Sequence, residues 1–379
     1  MVRSIGSRVR AWVGAAAVPV LGLGAGCSLE VPVLTACEAA DGVQPVCGFQ
    51  NPEDLAALPG GNWLAVSQMP GLGSAHGVSG KLTAWRPLDD RRHPLFPSEG
   101  TGENTAAESE RGWGDPSCDQ PPDVSLFAPH GIDTVTLKSG QNLLAVVNHG
   151  GREAVELFEF DWAADGPRVQ WRGCVVLPPE IWPNDVALLQ NGELIVSNMI
   201  SGISGVGAIV GGVQMLLGFD TGYVLAWKPE TGWEEIEGTR GSAPNGVAIT
   251  PDGKELYFAE WGRERLVRVL LDAEDSSRRR TVDLPHHPDN LSWTRDGQLL
   301  AAGQVGDLSQ LLACGQVEDG TCAVAFSVVR IDPSTMRTEV ILDHPGTATG
   351  GVSSALVVGD ELFVGTFNGD RVGRAPYAP

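Results

Sequence analysis

The chain has 379 residues, 42% of them hydrophobic and 19% charged, and its 47 acidic against 26 basic residues give a net charge of -21. A nucleic-acid backbone or an anionic membrane surface is held by clustered Lys and Arg, and the absence of any such cluster argues against both as partners. The 49 glycines and 26 prolines are spread along the chain instead of gathering into low-complexity runs, which points to many short strands and tight turns.

At the start of the chain Arg3, Arg8 and Arg10 precede an apolar stretch from Ala11 to Gly26, the pattern of an export signal over residues 1–26. The stretch is too short and glycine-rich to span a membrane. Cys27 follows Leu23-Gly24-Ala25-Gly26, which resembles a bacterial lipoprotein cleavage site. Lipidation of Cys27 and attachment to the cell envelope are therefore expected, with ordinary signal cleavage and a periplasmic or secreted protein as the alternative. Residues 27–47 read as an N-terminal segment ahead of one domain from 48 to 379. Cys37, Cys47, Cys118, Cys174, Cys314 and Cys322 remain, an even number that suggests disulfides in an oxidising compartment. Cys37 with Cys47 and Cys314 with Cys322 are near neighbours, but spacing does not choose the pairing. No Cys or His spacing of a zinc site occurs.

One unit then repeats, a polar or Gly-containing turn followed directly by an apolar strand, at Gly61, Gly140, Gly192, Gly253, Gly297 and Gly359. The intervals of 79, 52, 61, 44 and 62 residues put 298 residues between the first and last turn over five steps, close to one propeller blade per step. They predict an all-β fold, a six-bladed β-propeller with four-stranded blades. The longest interval holds the polar segment from Asp89 to Pro122, expected as a loop or insertion.

A second strand begins ahead of five of these turns with a shared grammar of Pro, two polar or small residues, then an aliphatic. The copies are Pro52-Glu53-Asp54-Leu55, Pro129-His130-Gly131-Ile132, Pro183-Asn184-Asp185-Val186, Pro244-Asn245-Gly246-Val247 and Pro288-Asp289-Asn290-Leu291. The sixth copy, near Gly351-Val352-Ser353, has lost both features. Proline is tolerated at a strand start because the ladder can spare a donor there. The innermost strands of a propeller all begin at one mouth of the channel, so the column becomes a cluster of Glu53, His130, Asn184, Asn245 and Asp289, with Asn290 beside the last. Taken singly, each reads better as a turn residue serving local backbone than as a ligand. Several acids and amides converging in one column need a further cause, and calcium, with about six to eight hard oxygen ligands, supplies one. Asp54 and Asp185, with a backbone carbonyl near Ile132, form an adjacent set that could hold a second, structural calcium.

These residues resemble the paraoxonase and arylesterase family and, more loosely, the gluconolactonase and strictosidine-synthase-like propellers. The stretch PHGIDTVTLKSGQNLLAVVNHGGREAVELFEFDW, Pro129 to Trp162, is similar to the paraoxonase segment carrying two active-site histidines. The resemblance implies a catalytic calcium held by Glu53, Asn184, Asn245, Asp289 and Asn290. It further implies a structural calcium held by Asp54, Asp185 and the Ile132 carbonyl, and a dyad of His130 and His149. It departs in three places. A glycine-rich stretch from Ile200 to Thr221 stands where the family has a helix over the pocket, Gln304 replaces a pocket histidine, and no Cys follows Cys322 to link the termini.

The expected chemistry is hydrolysis of a small lactone or aryl ester, with calcium polarising the carbonyl, His130 activating water and His149 orienting it. A non-catalytic calcium-stabilised binding propeller and a gluconolactonase-type sugar lactonase are the alternatives. The segment from Ile200 to Phe219 reads as a lid over an apolar pocket, a lipid-facing patch or a buried loop, and the eleven tryptophans as core or rim. No G-x-S-x-G elbow, P-loop or dinucleotide fingerprint competes.

Overall fold

In a computed structural model, the described residues are 31–60, 62–71, 79–98, 112–201, 206–273 and 278–378. The export signal and Cys27 lie outside them. Six blades, each of four antiparallel strands, are arranged around a channel, and the second carries a fifth, parallel strand at its outer edge. Their innermost strands are Pro52–Ala57, Pro129–Thr136, Ile181–Leu188, Pro244–Ile249, His287–Trp293 and Val352–Val358. Each packs on the innermost strands of the blades before and after it, so the ring closes.

The repeated turns do the local work. Gly140, Gly192, Gly253, Gly297 and Gly359 all have φ between +61° and +89°, the left-handed region open to glycine at little cost. The strand after each turn is buried nearly throughout, as in Leu64–Gln68, because a neighbouring blade covers each face. The hydrophobic core is accordingly a set of slabs shared between blades. One slab joins Leu143, Ala145 and Val147 of blade 2 to Val186, Leu188 and Val196 of blade 3. The next joins Ala187 and Ile195 of blade 3 to Val247, Ile249 and Phe258 of blade 4. Burying such a side chain is worth about 1.5–3 kcal/mol, and here the burial exists only when the next blade is in place. A blade has no core of its own.

Closure is made by pairing the two ends of the chain. The strand Gln44–Cys47 forms the outer edge of blade 6 against Arg371–Pro376, with Val46 opposite Val372. The propeller thus begins at Gln44, a few residues before the boundary read from sequence, and strand pairing ties the termini where the resembled family uses a disulfide. Arg371 is fully buried beside this seam. Its guanidinium donates to the carbonyl oxygens of Leu34 at 2.8 Å, Ala36 at 2.6 Å and Ala348 at 3.2 Å.

Three disulfides form: Cys37–Cys47, Cys314–Cys322 and Cys118–Cys174. They suit an extracellular or periplasmic protein. Among the described residues no helix is long and apolar enough to cross a membrane.

Two expectations are corrected. The segment from Asp89 to Pro122 contains a strand, Arg91–Phe96, which forms the outer edge of blade 1, and the short strand Trp113–Gly114 beside blade 2. Its Arg-Arg-His-Pro opening hides the strand, but an outer edge faces water and tolerates Pro94. Within the stretch from Ile200 to Thr221, a helix forms at Val206–Leu216 despite its glycines.

Replacing Arg371 by Met leaves three backbone carbonyls short of a donor. The expected result is a loss of about 2–4 kcal/mol, seen as a melting temperature lower by about 4–12 °C. An unchanged melting temperature would show that the seam does not depend on this side chain.

Candidate active site and cation centre

The column read from sequence coincides with a backbone irregularity. The register of each innermost strand shifts just after its start: Pro52/Asp54, Pro129/Ile132, Pro183/Val186, Pro244/Val247, Pro288/Leu291 and Val352/Ser354. Such a bulge leaves residues unpaired and re-aims their side chains. The unpaired residues are Glu53, His130 with Gly131, Asn184 with Asp185, Asn245 with Gly246, Asp289 with Asn290, and Ser353. The bulge directs the column toward the axis. Two glycines are needed for the crowding this creates. A Cβ at Gly131 would lie 2.4 Å from Asp185 Oδ1, and one at Gly246 would lie 2.3 Å from the Asp289 carbonyl oxygen.

Glu53, His130, Asn184, Asn245 and Asp289 line one cavity of about 320 Å³ at the channel mouth. Asn290 sits beside it, its Nδ2 donating to Glu53 Oε1 at 2.7 Å. The buried oxygens left without a hydrogen-bond partner include Glu53 Oε2, Asn184 Oδ1, Asn245 Oδ1 and Asn290 Oδ1. Orphaned buried acceptors are rare because each loses its hydration without return. Four of them on four bulges are the donor set a hard cation needs. Among the described residues no three His, Cys, Asp or Glu side chains cluster closely enough to hold a metal by themselves. Any ion here therefore needs the amide oxygens.

Charge makes the same demand. Burial pushes the Glu53 carboxyl well above its ordinary range, with Asp54, Asp289 and Asp185 adding to the rise. Asp289 rises to about 7 through burial, despite support from Gln304 and Asn245. Asp54 and Asp133 also rise to about 7, and Asp185 well above its ordinary value, each chiefly through burial. Among the described residues no Lys or Arg lines either cavity to oppose these shifts. The axis is short of positive charge.

Asp54, Ile132 and Asp185 line a second cavity, of about 330 Å³, at the far end of the channel. There the carboxylates act as latches between blades. Asp54 Oδ2 accepts from Ile132 N–H, Asp133 Oδ2 from Leu188 N–H and Asp185 Oδ2 from Val247 N–H, each at 2.8 Å. The remaining oxygens accept from the next residue on their own strands. Ile132 thus engages Asp54 through its amide. The orphaned-oxygen argument applies to the inner set and not to this one, where only the accumulated charge asks for a cation.

His130 Nε2 lies 3.8 Å from Glu53 Oε1, and His130 Nδ1 lies 2.9 Å from His149 Nε2. His149 does not line the cavity but continues outward, its Nδ1 2.7 Å from Glu153 Oε2. Burial, and then His149, holds the His130 imidazole well below its usual pKa, so it is neutral. Glu153 was not anticipated from sequence, although an acid four residues after His149 across a Gly-Gly turn is a readable signal.

The cavity wall is apolar: Met69, Trp182, Met199, Met215, Trp261 and Phe367 surround the polar floor. Trp182 and Trp261 therefore belong to the pocket, against the reading of the tryptophans as core or rim. Ile200 and Met215 line the same wall. Gln304, in the place of the resembled family's histidine, donates to Asp289 Oδ2 and to the Val352 carbonyl at 2.7 Å each, and accepts from Trp261 Nε1. Blade 6, blank in sequence, is used as well. The hydroxyls of Ser353 and Ser354 donate to the Glu53 carbonyl at 2.6 and 2.8 Å.

Fold and site together define a six-bladed propeller with an oxygen-lined centre at one mouth. The sequence pattern of the SMP-30/Gluconolactonase/LRE-like region matches residues 116–345, more than half of the chain, and the chain belongs to that family. Among solved structures, a luciferin-regenerating enzyme is 14% identical, with 88% of this chain and 94% of that one covered, at a TM-score of 0.50. A gluconolactonase from Xanthomonas campestris is 16% identical, with 92% and 95% covered, also at 0.50. At these identities the likeness bears on the fold alone. Comparison with curated proteins finds no match.

Gly246→Ala tests the convergence of blades 4 and 5. The added methyl group forces the Asp289 backbone to move, and stability is expected to fall by about 1–3 kcal/mol in thermal denaturation. A neutral substitution would mean that the blades are farther apart.

Proposed function

We propose that the protein is a calcium-dependent hydrolase of neutral, apolar lactones or aryl esters. The observation that carries this reading is the set of orphaned oxygens on Glu53, Asn184, Asn245 and Asn290, joined by Asp289 and placed beside a neutral histidine under an apolar wall. These five residues would hold the catalytic ion. Asp54 and Asp185, with Ile132, would hold a second, structural one on the strength of their buried charge. Bound calcium supplies a Lewis acid for the substrate carbonyl.

The chain's own residues do the rest. His130 Nε2 faces the cavity and accepts a proton from attacking water, which a neutral imidazole can do. Gln304 fixes the Asp289 carboxylate, and Asn290 fixes Glu53. The wall of Met, Trp and Phe side chains excludes water and holds an alkyl or aryl group. Among the described residues no Lys or Arg lines the cavity, which selects against substrates carrying a carboxylate or phosphate. The gluconolactonase-like relatives support a lactone hydrolase, and the paraoxonase-like histidine pair supports an arylesterase. A sugar lactone is a second reading that family membership favours, but its hydroxyls would meet an apolar wall. Export and attachment through a lipidated Cys27 belong to the same proposal, and the three disulfides support the compartment.

Purified protein is expected to bind calcium in titration calorimetry and to lose hydrolysis of aryl acetates and alkyl lactones on chelation. Asn245→Ala should weaken calcium binding by about tenfold or more, and His130→Gln should keep calcium while lowering kcat by about 100-fold. Turnover indifferent to chelation and to both substitutions overturns the proposal. A calcium-raised melting temperature without turnover would favour a binding protein, and faster hydrolysis of gluconolactone than of an alkyl lactone would favour the sugar.

A further inference from the structure

The turn that follows strand Asn142–Asn148 carries a group that the hydrolase reading leaves unused. Glu153 Oε2, His149 and His130 form an unbroken line, with contacts of 2.7 and 2.9 Å, that ends at His130 Nε2 in the cavity. We propose that Glu153 is a positioning residue of this site. Through His149 it fixes the tautomer of His130, so that an unprotonated Nε2 faces the substrate. The inference rests on the hydrolase reading for its catalytic meaning.

An ionised carboxylate can only accept a hydrogen bond. His149 must then carry its proton on Nδ1 and donate it to Glu153. A neutral ring protonated there has a bare Nε2, which accepts from His130 Nδ1–H. His130 is left with a bare Nε2, the one arrangement in which it acts as a base. With the chain reversed, His130 Nε2 would carry the proton and could take none. In the reaction the water oxygen bonds to the acyl carbon as its O–H bond breaks, and the proton passes to His130 Nε2. The acyl carbon–oxygen bond of the ester then breaks, and the leaving oxygen takes that proton back.

The turn is built to hold this line. Asn148 Oδ1 accepts from Ala128 N–H and Gly150 N–H at 3.0 Å each, and His149 N–H donates to the Ala128 carbonyl at 3.0 Å. A Cβ at Gly150 would lie 1.7 Å from the Leu126 carbonyl oxygen, and Gly151 has φ of +77°. No other residue type fits the pair without shifting the turn that returns Glu153 to His149. The Glu153 carbonyl accepts from Leu177 N–H, and the Trp182 ring meets His149 edge-on at 6.2 Å. The Glu153 side chain is itself 36% exposed, so as a mere ion pair it would contribute little to stability.

The test uses the full chain labelled with ¹⁵N-histidine, its seven histidines assigned through His130→Gln and His149→Gln variants. Wild-type protein should show both rings protonated at Nδ1 and bare at Nε2. Glu153→Gln can donate as well as accept, so both rings should move toward a mixture of tautomers, and Glu153→Asp should retain the wild-type pattern. In kinetics, Glu153→Gln should lower kcat by about tenfold to a hundredfold at nearly constant KM, with partial recovery in Glu153→Asp. Imidazole shifts unmoved in Glu153→Gln, or an unmoved kcat in an active enzyme, overturn the proposal. If the tautomers respond to Glu153 while the wild type hydrolyses nothing, the orienting chain is supported and the hydrolase reading falls.

Discussion

Among the described residues, five carboxylates lie at the axis of this ring, and no Lys or Arg lines the channel with them. Burying one unpaired charge is costly, and burying several together raises every pKa in the group, as Glu53, Asp54, Asp133, Asp185 and Asp289 show. The chain spends its arginines elsewhere. Glu260, fully buried, is surrounded by Arg263, Arg265 and Arg279, and Glu156 by Arg152 and the Trp171 N–H. The same chain that neutralises those acids leaves the axial ones open. The contrast is the physical reason for treating the axis as a cation site and those clusters as scaffold.

The axial cluster exists only because the ring closes. Each hydrophobic slab belongs to two blades, so the six innermost strands are brought together by burial that no single blade could achieve. Closure then rests on an ordinary strand pairing, Gln44–Cys47 with Arg371–Pro376, and on one buried arginine. Energy gained at the perimeter holds like charges together at the centre. The three aspartate latches couple the two, since each satisfies an amide of the neighbouring blade while adding negative charge to the channel.

Much of this was legible in the sequence, for identifiable reasons. The blade count could be read because a turn needing positive φ repeats ahead of a buried strand, as at Gly192 and Gly253. The placement of Glu53, Asn184, Asn245 and Asp289 could be read because a proline marks each strand start, and the bulge just after it sends the next residue inward. What failed depended on partners distant in the chain. Arg91–Phe96 looks like a loop because an outer edge needs no apolar pattern. Gln44–Cys47 pairs with residues more than three hundred positions away, which no local pattern reports. Asp133 escaped the column because the blade-2 copy carries its acid two places later after its proline than Asp54 and Asp185 do. The latch at the far set was unreadable as well, since Ile132 turns its amide to Asp54 across a blade interface that no local pattern reports.

The departures from symmetry matter most for chemistry. A ring offering six identical oxygens would bind an ion and do nothing further to a substrate. Blade 2 substitutes an imidazole whose far nitrogen is already engaged by His149, so its free nitrogen is directed at the cavity beside Glu53. Blade 6 sends no acid or amide to the cavity, and its two serines instead grip the Glu53 carbonyl, holding the backbone of the one acidic residue that His130 approaches. Blade 5 supplies two adjacent residues, Asp289 held by Gln304 and Asn290 holding Glu53 in turn. Of the two blades that offer no free oxygen, one supplies the imidazole and the other holds the backbone of the glutamate beside it.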